Sequence, residues 1–315
     1  MSESPINSSS SSAKNNKISE NNAEDSAAPF QSGLSFQVPS KASSNILVLS
    51  YDCLEGIFSL LSLQDQLSFS RSNRKIERMY RNYAQRKYKH ITKYIYHTLE
   101  ESDLEYLVEQ VNEDLISYES YVYASSRAEE ELRLLRMHCP MLRRLKMTFS
   151  RPHWEDLIQL KNLNTLDAFL EFSSTNDYEK FFFNLSENLP CLRKLVLEAP
   201  DNNGKGLHVL ENLEHLEIDD FSELDAKYLT DCFIKMKNLH FLKMGMWNPY
   251  LTNENLSAIV ANCRNLETLE FTGNKLINNV ELERVCELPC LKHLIVNLQR
   301  LERPGLIEGL VQNYG

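Results

Sequence analysis

A unit of leucine-x-x-leucine-x-apolar recurs along most of the chain, and everything between its copies is patterned around it. Copies begin at Leu142, Leu163, Leu192, Leu213, Leu239, Leu266 and Leu291, with spacings of 21, 29, 21, 26, 27 and 25 residues. The second leucine of a copy and the apolar residue two places on share one face of an extended chain, because strand side chains alternate. Leu145 with Met147, Leu216 with Ile218 and Leu269 with Phe271 are such pairs. Between copies the apolar residues recur at helical spacing behind capping residues. Ser126 and Glu129 precede Leu132 and Leu135, Ser222 and Asp225 precede Leu229, and Asn253 precedes Leu256 and Ile259. Each strand–turn–helix unit has one apolar edge and can bury it only by stacking on its neighbours.

The pattern extends further in weaker form. Residues 91–97 and 114–120 read as two degenerate strands around a helix over residues 104–111, giving eight or nine units in all. The unit from Leu192 to Leu213 is short and holds Pro200, Asn202, Asn203 and Gly204, which predicts a loop in place of its helix. Residues 304–311 can form a last helix over the open sheet edge. Just before the leucines stand Cys139, Cys191, Cys263 and Cys290, or Asn212, Asn238 and Asn265. Both residue types are small and able to satisfy backbone groups where helix meets strand.

Ahead of the repeats, residues 45–88 predict three short helices. Leu54, Ile57, Phe58 and Leu61 recur at i, i+3, i+4, i+7 behind Ser50. Ser62 and Asp65 form a capping box before Leu67 and Phe69, and Asn73 caps a stripe of Ile76, Met79, Tyr80 and Tyr83. So small a core must lean on the rest of the chain or on a partner. Residues 1–44 are roughly one-third serine and lack apolar periodicity, which predicts a disordered leader.

Charge and chemistry add mostly exclusions. The net charge of −10 is uneven: residues 71–93 carry nine Lys/Arg against one Asp/Glu, while from Tyr94 onward 22 face 36. That acidic bulk argues against nucleic acid as the main partner. The tyrosines interleaved in the basic run fall on its core-facing stripe, which favours a solvated basic helix face. No pair of the seven cysteines has C-x-x-C spacing, so reduced cysteines are expected, with no metal. No nucleophile elbow, zinc-protease motif or phosphate loop occurs, and no cofactor is implied. His215, Glu217 and Asp219 share a strand face, but solvated strand residues account for them as well as an acid/base site does. There is no secretory pattern at the start and no apolar run long enough to span a bilayer, so cytoplasm or nucleus is expected and no membrane.

Residues 49–76 resemble the F-box. Leu49, Ser50, Asp52, Cys53 and Leu54 follow the family's opening, then Ile57, Phe58, Leu60 and Leu61, then Asp65, Leu67 and Ser70, with the basic pair Arg74 and Lys75 at the end. The match needs no gap; Ser50 stands where proline is usual, and Cys53 and Gln66 replace leucines. The downstream spacings resemble leucine-rich repeats. The resemblance implies an α/β chain of three parts: a leader (1–44), an F-box (45–88), and a repeat solenoid (89–315) with a curved parallel sheet inside and helices and loops outside. It further implies a non-enzymatic substrate receptor of an SCF-type (cullin-RING) ubiquitin ligase. The F-box would bind a Skp-type adaptor, and through it cullin and RING protein, by way of Leu49, Leu54, Ile57, Phe58, Leu61 and Leu67. A repeat protein that binds its partner without any ligase attached is the other reading.

Strand alternation places the target surface. Residues on either side of the second leucine face the concave sheet: Arg144 and Lys146, Lys194 and Val196, His215 and Glu217, Phe241 and Lys243 among them. Phe169, Glu198, Asp219, Trp247 and Tyr250 lie just beyond, near the strand ends. Aromatic groups beside charge anchor many protein interfaces. His215, Glu217, Asp219, Phe241, Lys243 and Trp247 are therefore the expected contacts with an unidentified protein target.

Overall fold

Three capped helices stand near the start of the described residues: α1 (Tyr51–Leu60), α2 (Leu63–Arg71) and α3 (Arg74–Lys87). This computed structural model describes residues 45–120, 127–150, 154–221, 223–245, 251–272 and 277–297. The expected leader and closing helix lie outside the described residues. Each of the three helices starts where its capping residue predicts. Ser50 accepts from the Cys53 N–H, Ser62 from that of Asp65 and Asn73 from that of Lys75. Such caps contribute about 1 kcal/mol each.

Phe58 is the hub of this part. Its ring centroid lies 5.6 Å from that of Phe69, 5.1 Å from Tyr80 and 5.5 Å from Tyr83. Gln66, in the place of a family leucine, is buried yet satisfied. Its amide donates to the carbonyls of Phe58 (2.8 Å) and Leu61 (3.0 Å), locking the turn between α1 and α2, and its oxygen accepts from Tyr88. The helices are not free-standing. α2 and α3 pack on α5 (Glu101–Val111), where Arg71 pairs with Asp103 and lies over the Tyr106 ring at 4.3 Å. The expectation that this small core leans on something else is met by the chain itself.

Among the described residues the remainder is built on one parallel sheet of nine strands in chain order. They are β1 (His90–Ile91), β2 (Ser117–Glu119), β3 (Arg144–Phe149), β4 (Thr165–Leu170) and β5 (Lys194–Glu198). β6 (His215–Asp219), β7 (Phe241–Met244), β8 (Thr268–Thr272) and β9 (His293–Asn297) complete it. Register follows the repeat: Leu145, Leu166, Leu195, Leu216, Leu242, Leu269 and Leu294 face one another in turn. Met147, Ala168, Leu197, Ile218 and Met244 form the next buried row. Parallel neighbours need a crossover, and the helices supply it. These are α4 (Lys93–Thr98), α5, α6 (Ala128–His138), the single turn α7 (Trp154–Leu157), α8 (Thr175–Asn188), α9 (Ala226–Lys235), α10 (Asn253–Asn262) and α11 (Asn279–Val285). Between β5 and β6 only a 3-10 turn, Leu207–Val209, replaces the helix, as its composition predicts. The architecture is a leucine-rich-repeat solenoid.

Three local readings are corrected. Residues 91–97 do not form one strand: pairing stops at Ile91 and α4 begins at Lys93. Turning there brings the Tyr96 hydroxyl 2.7 Å from Glu131 and leaves Tyr94 in solvent. α10 starts behind Thr252, which forms a reciprocal box with Asn255, one place earlier than Asn253 suggested. Of the cysteines before the leucines, Cys139 and Cys263 are buried but Cys191 and Cys290 are exposed. The Cys263 thiol donates to the Phe233 and Met236 carbonyls. Asparagines act similarly from unit to unit, Asn162 reaching the Pro140 carbonyl and Asn265 that of Lys237. Ser126 and Ser222 lie outside the described residues; Asp225 caps α9.

Candidate protein-interaction surfaces

The first surface is the outside of the three-helix unit. Leu54, Phe58 and Leu67 are 0% exposed, so they hold the helices together and do not face a partner. The i, i+4 stripe of α1 is covered by α3, which corrects the reading of these three as adaptor contacts. Leu49, Ile57 and Leu61 are half-buried along the rim. The residue that sequence reasoning passed over is Leu60, 88% exposed at the C-terminal end of α1, with Val48 also bare. Its helical angle, off the stripe yet apolar, was the available signal.

The second surface is the open face of the sheet, where strand register builds three rows. The first row carries Arg144, Thr165, Lys194, His215 and Phe241; the second carries Lys146, Asp167, Val196, Glu217, Lys243 and Glu270. The third carries Phe169, Glu198 and Asp219. Charges in the second row pair across strands, Lys146 with Asp167 at 2.6 Å and Lys243 with Glu270 at 3.4 Å.

At the centre, Lys194 Nζ lies 2.8 Å from Glu217 Oε1 and 2.9 Å from His215 Nε2, while that ring nitrogen is 2.6 Å from the same carboxylate oxygen. The nitrogen can donate to Glu217 or accept from Lys194, but not both at once. The His215 ring is stacked on Phe241, centroids 4.0 Å apart and planes 2° from parallel. Phe241 is thus covered on one side by that ring and is half-buried. Hydrogen bonding from His215, then Lys194, holds the Glu217 carboxyl down to about 2 against partial burial.

A carboxyl depressed in the folded state contributes stability that is present above its unfolded pKa and lost as pH falls toward the folded one. For Glu217 that window runs from 4.5 down to about 2. The melting-temperature advantage of wild type over Glu217→Gln should be constant above the window and shrink inside it. A difference that stays level throughout would mean that Glu217 is not held by His215 and Lys194.

Asp219, in the third row, depends on a neighbour with no side chain. A Cβ at Gly245 would stand 2.1 Å from Asp219 Oδ1, so only glycine leaves the carboxylate its place. Beside it Glu198 titrates above the usual carboxylate range, because of burial and then the negative charge of Asp167, Asp219 and Asp220. Together Lys194, Glu198, Glu217, Asp219 and Lys243 line a depression of about 350 Å³. The structure therefore brings together five of the six residues expected to bind the target; Trp247 lies outside the described residues. Lys194 and Glu198 are the additions, legible in principle from the same alternation. Among the described residues no group of three His, Cys, Asp or Glu is arranged to hold a metal. No helix among them is long and apolar enough to cross a membrane.

No protein-family model matches the chain, and no curated protein does. Solved structures do. A chain of the yeast Rad7–Elc1 complex is similar over 68% of this chain, at 18% identity and a TM-score of 0.54; the chain spans 57% of that chain's length. Weaker likenesses are to an internalin of Listeria monocytogenes (14% identity, TM-score 0.37, covering 67% of this chain and 68% of that one) and to the leucine-rich-repeat protein LegL7 of Legionella pneumophila (10%, 0.39, 71% and 89%).

Proposed function

We propose that this chain is the substrate-recognition subunit of an SCF-type ubiquitin ligase and performs no catalysis itself. The observation that carries the reading is the order of parts: three capped helices with the F-box pattern, packed directly against a leucine-rich-repeat solenoid. The helices would present Ile57, Leu60 and Leu61, flanked by Leu49, to a Skp-type adaptor and so to cullin and RING protein. The solenoid would hold a protein target on its open face, around His215, Glu217, Asp219, Phe241 and Lys243. The Rad7–Elc1 neighbour offers a precedent for this fold acting within a complex.

Apolar contacts on an exposed helix end dominate such interfaces when they are desolvated together. Ile57→Glu with Leu60→Glu should abolish co-purification of the full chain with adaptor and cullin while leaving its melting temperature within a few degrees of wild type. Unchanged capture by the double variant would remove α1 as the contact. A wild-type chain that captures no adaptor would leave the second reading, a protein-binding solenoid uncoupled from ubiquitination. Burial of Leu54, Phe58 and Leu67 inside the chain's own core is the observation that favours that alternative.

A further inference from the structure

A buried carboxyl that neither surface uses stands at the start of the solenoid. Glu131, on α6, is 5% exposed. Glutamate is seldom enclosed to that degree, because burial penalises the ionised form unless a partner compensates both oxygens. Compensation here is incomplete. Oε1 accepts from the Tyr96 hydroxyl of α4 at 2.7 Å, while Oε2 has no hydrogen-bond partner among the described residues.

The groups around it are crowded yet incompletely joined. Tyr118 of β2 is 1% exposed, its ring 6.3 Å from that of Tyr96, and its hydroxyl also lacks a partner. Arg127, just before α6, holds its guanidinium 5.7 Å over the Tyr96 ring. Its Nε is buried without a hydrogen bond and lies 4.0 Å from a Glu101 oxygen. That positive charge is shared among several acids. A cleft of about 220 Å³ between α5 and α6 sets Glu101, Glu105, Glu130 and Glu131 against Arg127 and Arg133. Asp156 of α7, which also packs on α6, is taken by Arg136. Burial therefore pushes the Glu131 carboxyl above its usual range. The nearby hydroxyls of Tyr96, Ser120 and Tyr118, and the charge of Arg127, offset only part of this.

The position gives the carboxyl leverage. It joins α4, β2 and α6, and the cleft beside it is walled by α5, on which α2 and α3 rest. We infer that Glu131 is a proton-held latch: protonated, it lets α4, β2 and α6 close on one another, and its ionisation opens this corner while later repeats stay folded. The inference depends on neither the ligase reading nor the two interaction surfaces.

The sign of the effect follows from linkage. A carboxyl raised in the folded state contributes stability that is full below its ordinary value of 4.5 and is lost as pH rises through the folded value. Amide hydrogen exchange of the full chain, read by mass spectrometry and corrected for intrinsic rates, tests this. In wild type the opening constant of α4, β2 and α6 should rise above pH 4.5, by up to about tenfold per pH unit, and then level off. Glu131→Gln, which can still accept from Tyr96, should keep that constant within about twofold across the same range. Glu130→Gln, exposed on the same helix, should reproduce the wild-type rise. Tyr96→Phe should extend the rise to higher pH, since the Tyr96 hydroxyl draws the carboxyl down. Circular dichroism melts would verify that each variant folds. A wild-type profile without a rise, or the same rise in Glu131→Gln, would overturn the latch. So would a rise spread equally to β6 and β7, or one that Tyr96→Phe moves to lower pH.

Discussion

Phe58→Ala is expected to lower the stability of the chain by about 3–5 kcal/mol, the range for emptying a fully enclosed aromatic site. The ring is 0% exposed and touches three other rings at centroid separations of 5.1–5.6 Å. Tyr80, which packs against it, has its hydroxyl buried without a partner among the described residues, and burial drives its pKa far upward. Leu60→Ala, next but one in sequence but 88% exposed, should change stability by less than about 0.5 kcal/mol. Urea denaturation followed by circular dichroism measures both. If the two substitutions cost the same, the division between core-holding and partner-facing residues on α1 is wrong, and with it the choice of Leu60 as a contact.

Gly204→Ala should cost about 2–4 kcal/mol, by adding a left-handed backbone penalty to a steric one. The backbone there has φ +86°, and a Cβ would meet Leu224 Cδ1 at 2.7 Å. This loop substitutes for a helix, so its own hydrogen bonds have to replace helical ones. Asn202, 0% exposed, accepts from the Gly204 N–H at 2.8 Å, and Asn203 accepts from that of Lys205. Thermal unfolding should show the loss, and Asn203→Gly, which keeps the turn permissive, should lose far less. A Gly204→Ala protein as stable as wild type would mean that the loop relaxes to a right-handed path.

The solenoid was legible because its leucines do one job at one spacing: Leu216 must be buried wherever the chain turns back, and period 2 then places His215 and Glu217 outside. The short unit was legible from Pro200 and Gly204, which cannot continue a helix or need a special turn. Less could be read near residue 95, where the run of Tyr94, Ile95 and Tyr96 has strand-like composition. The competing contact, Tyr96 with buried Glu131 from a later unit, is invisible locally. The α1 stripe revealed that Leu54 and Phe58 share one side of the helix but not that α3 covers that side, so they read as partner contacts when they are core. On the open face the residues were foreseeable and their couplings were not, since the stack of His215 on Phe241 joins positions 26 apart whose register only the folded sheet determines.

The strand order has a kinetic meaning. Every strand pairs with the next one along the chain, so no rung of the sheet closes a loop much longer than the 29 residues between Thr165 and Lys194. Loop-closure entropy grows only logarithmically with length, but it must be met before distant contacts form, and here none is distant. Folding can therefore begin at any well-packed unit and spread outward one strand at a time. A ribosome releasing the chain from its N-terminus would see the helices around Phe58 close first on α5, and each later strand would find its template already made.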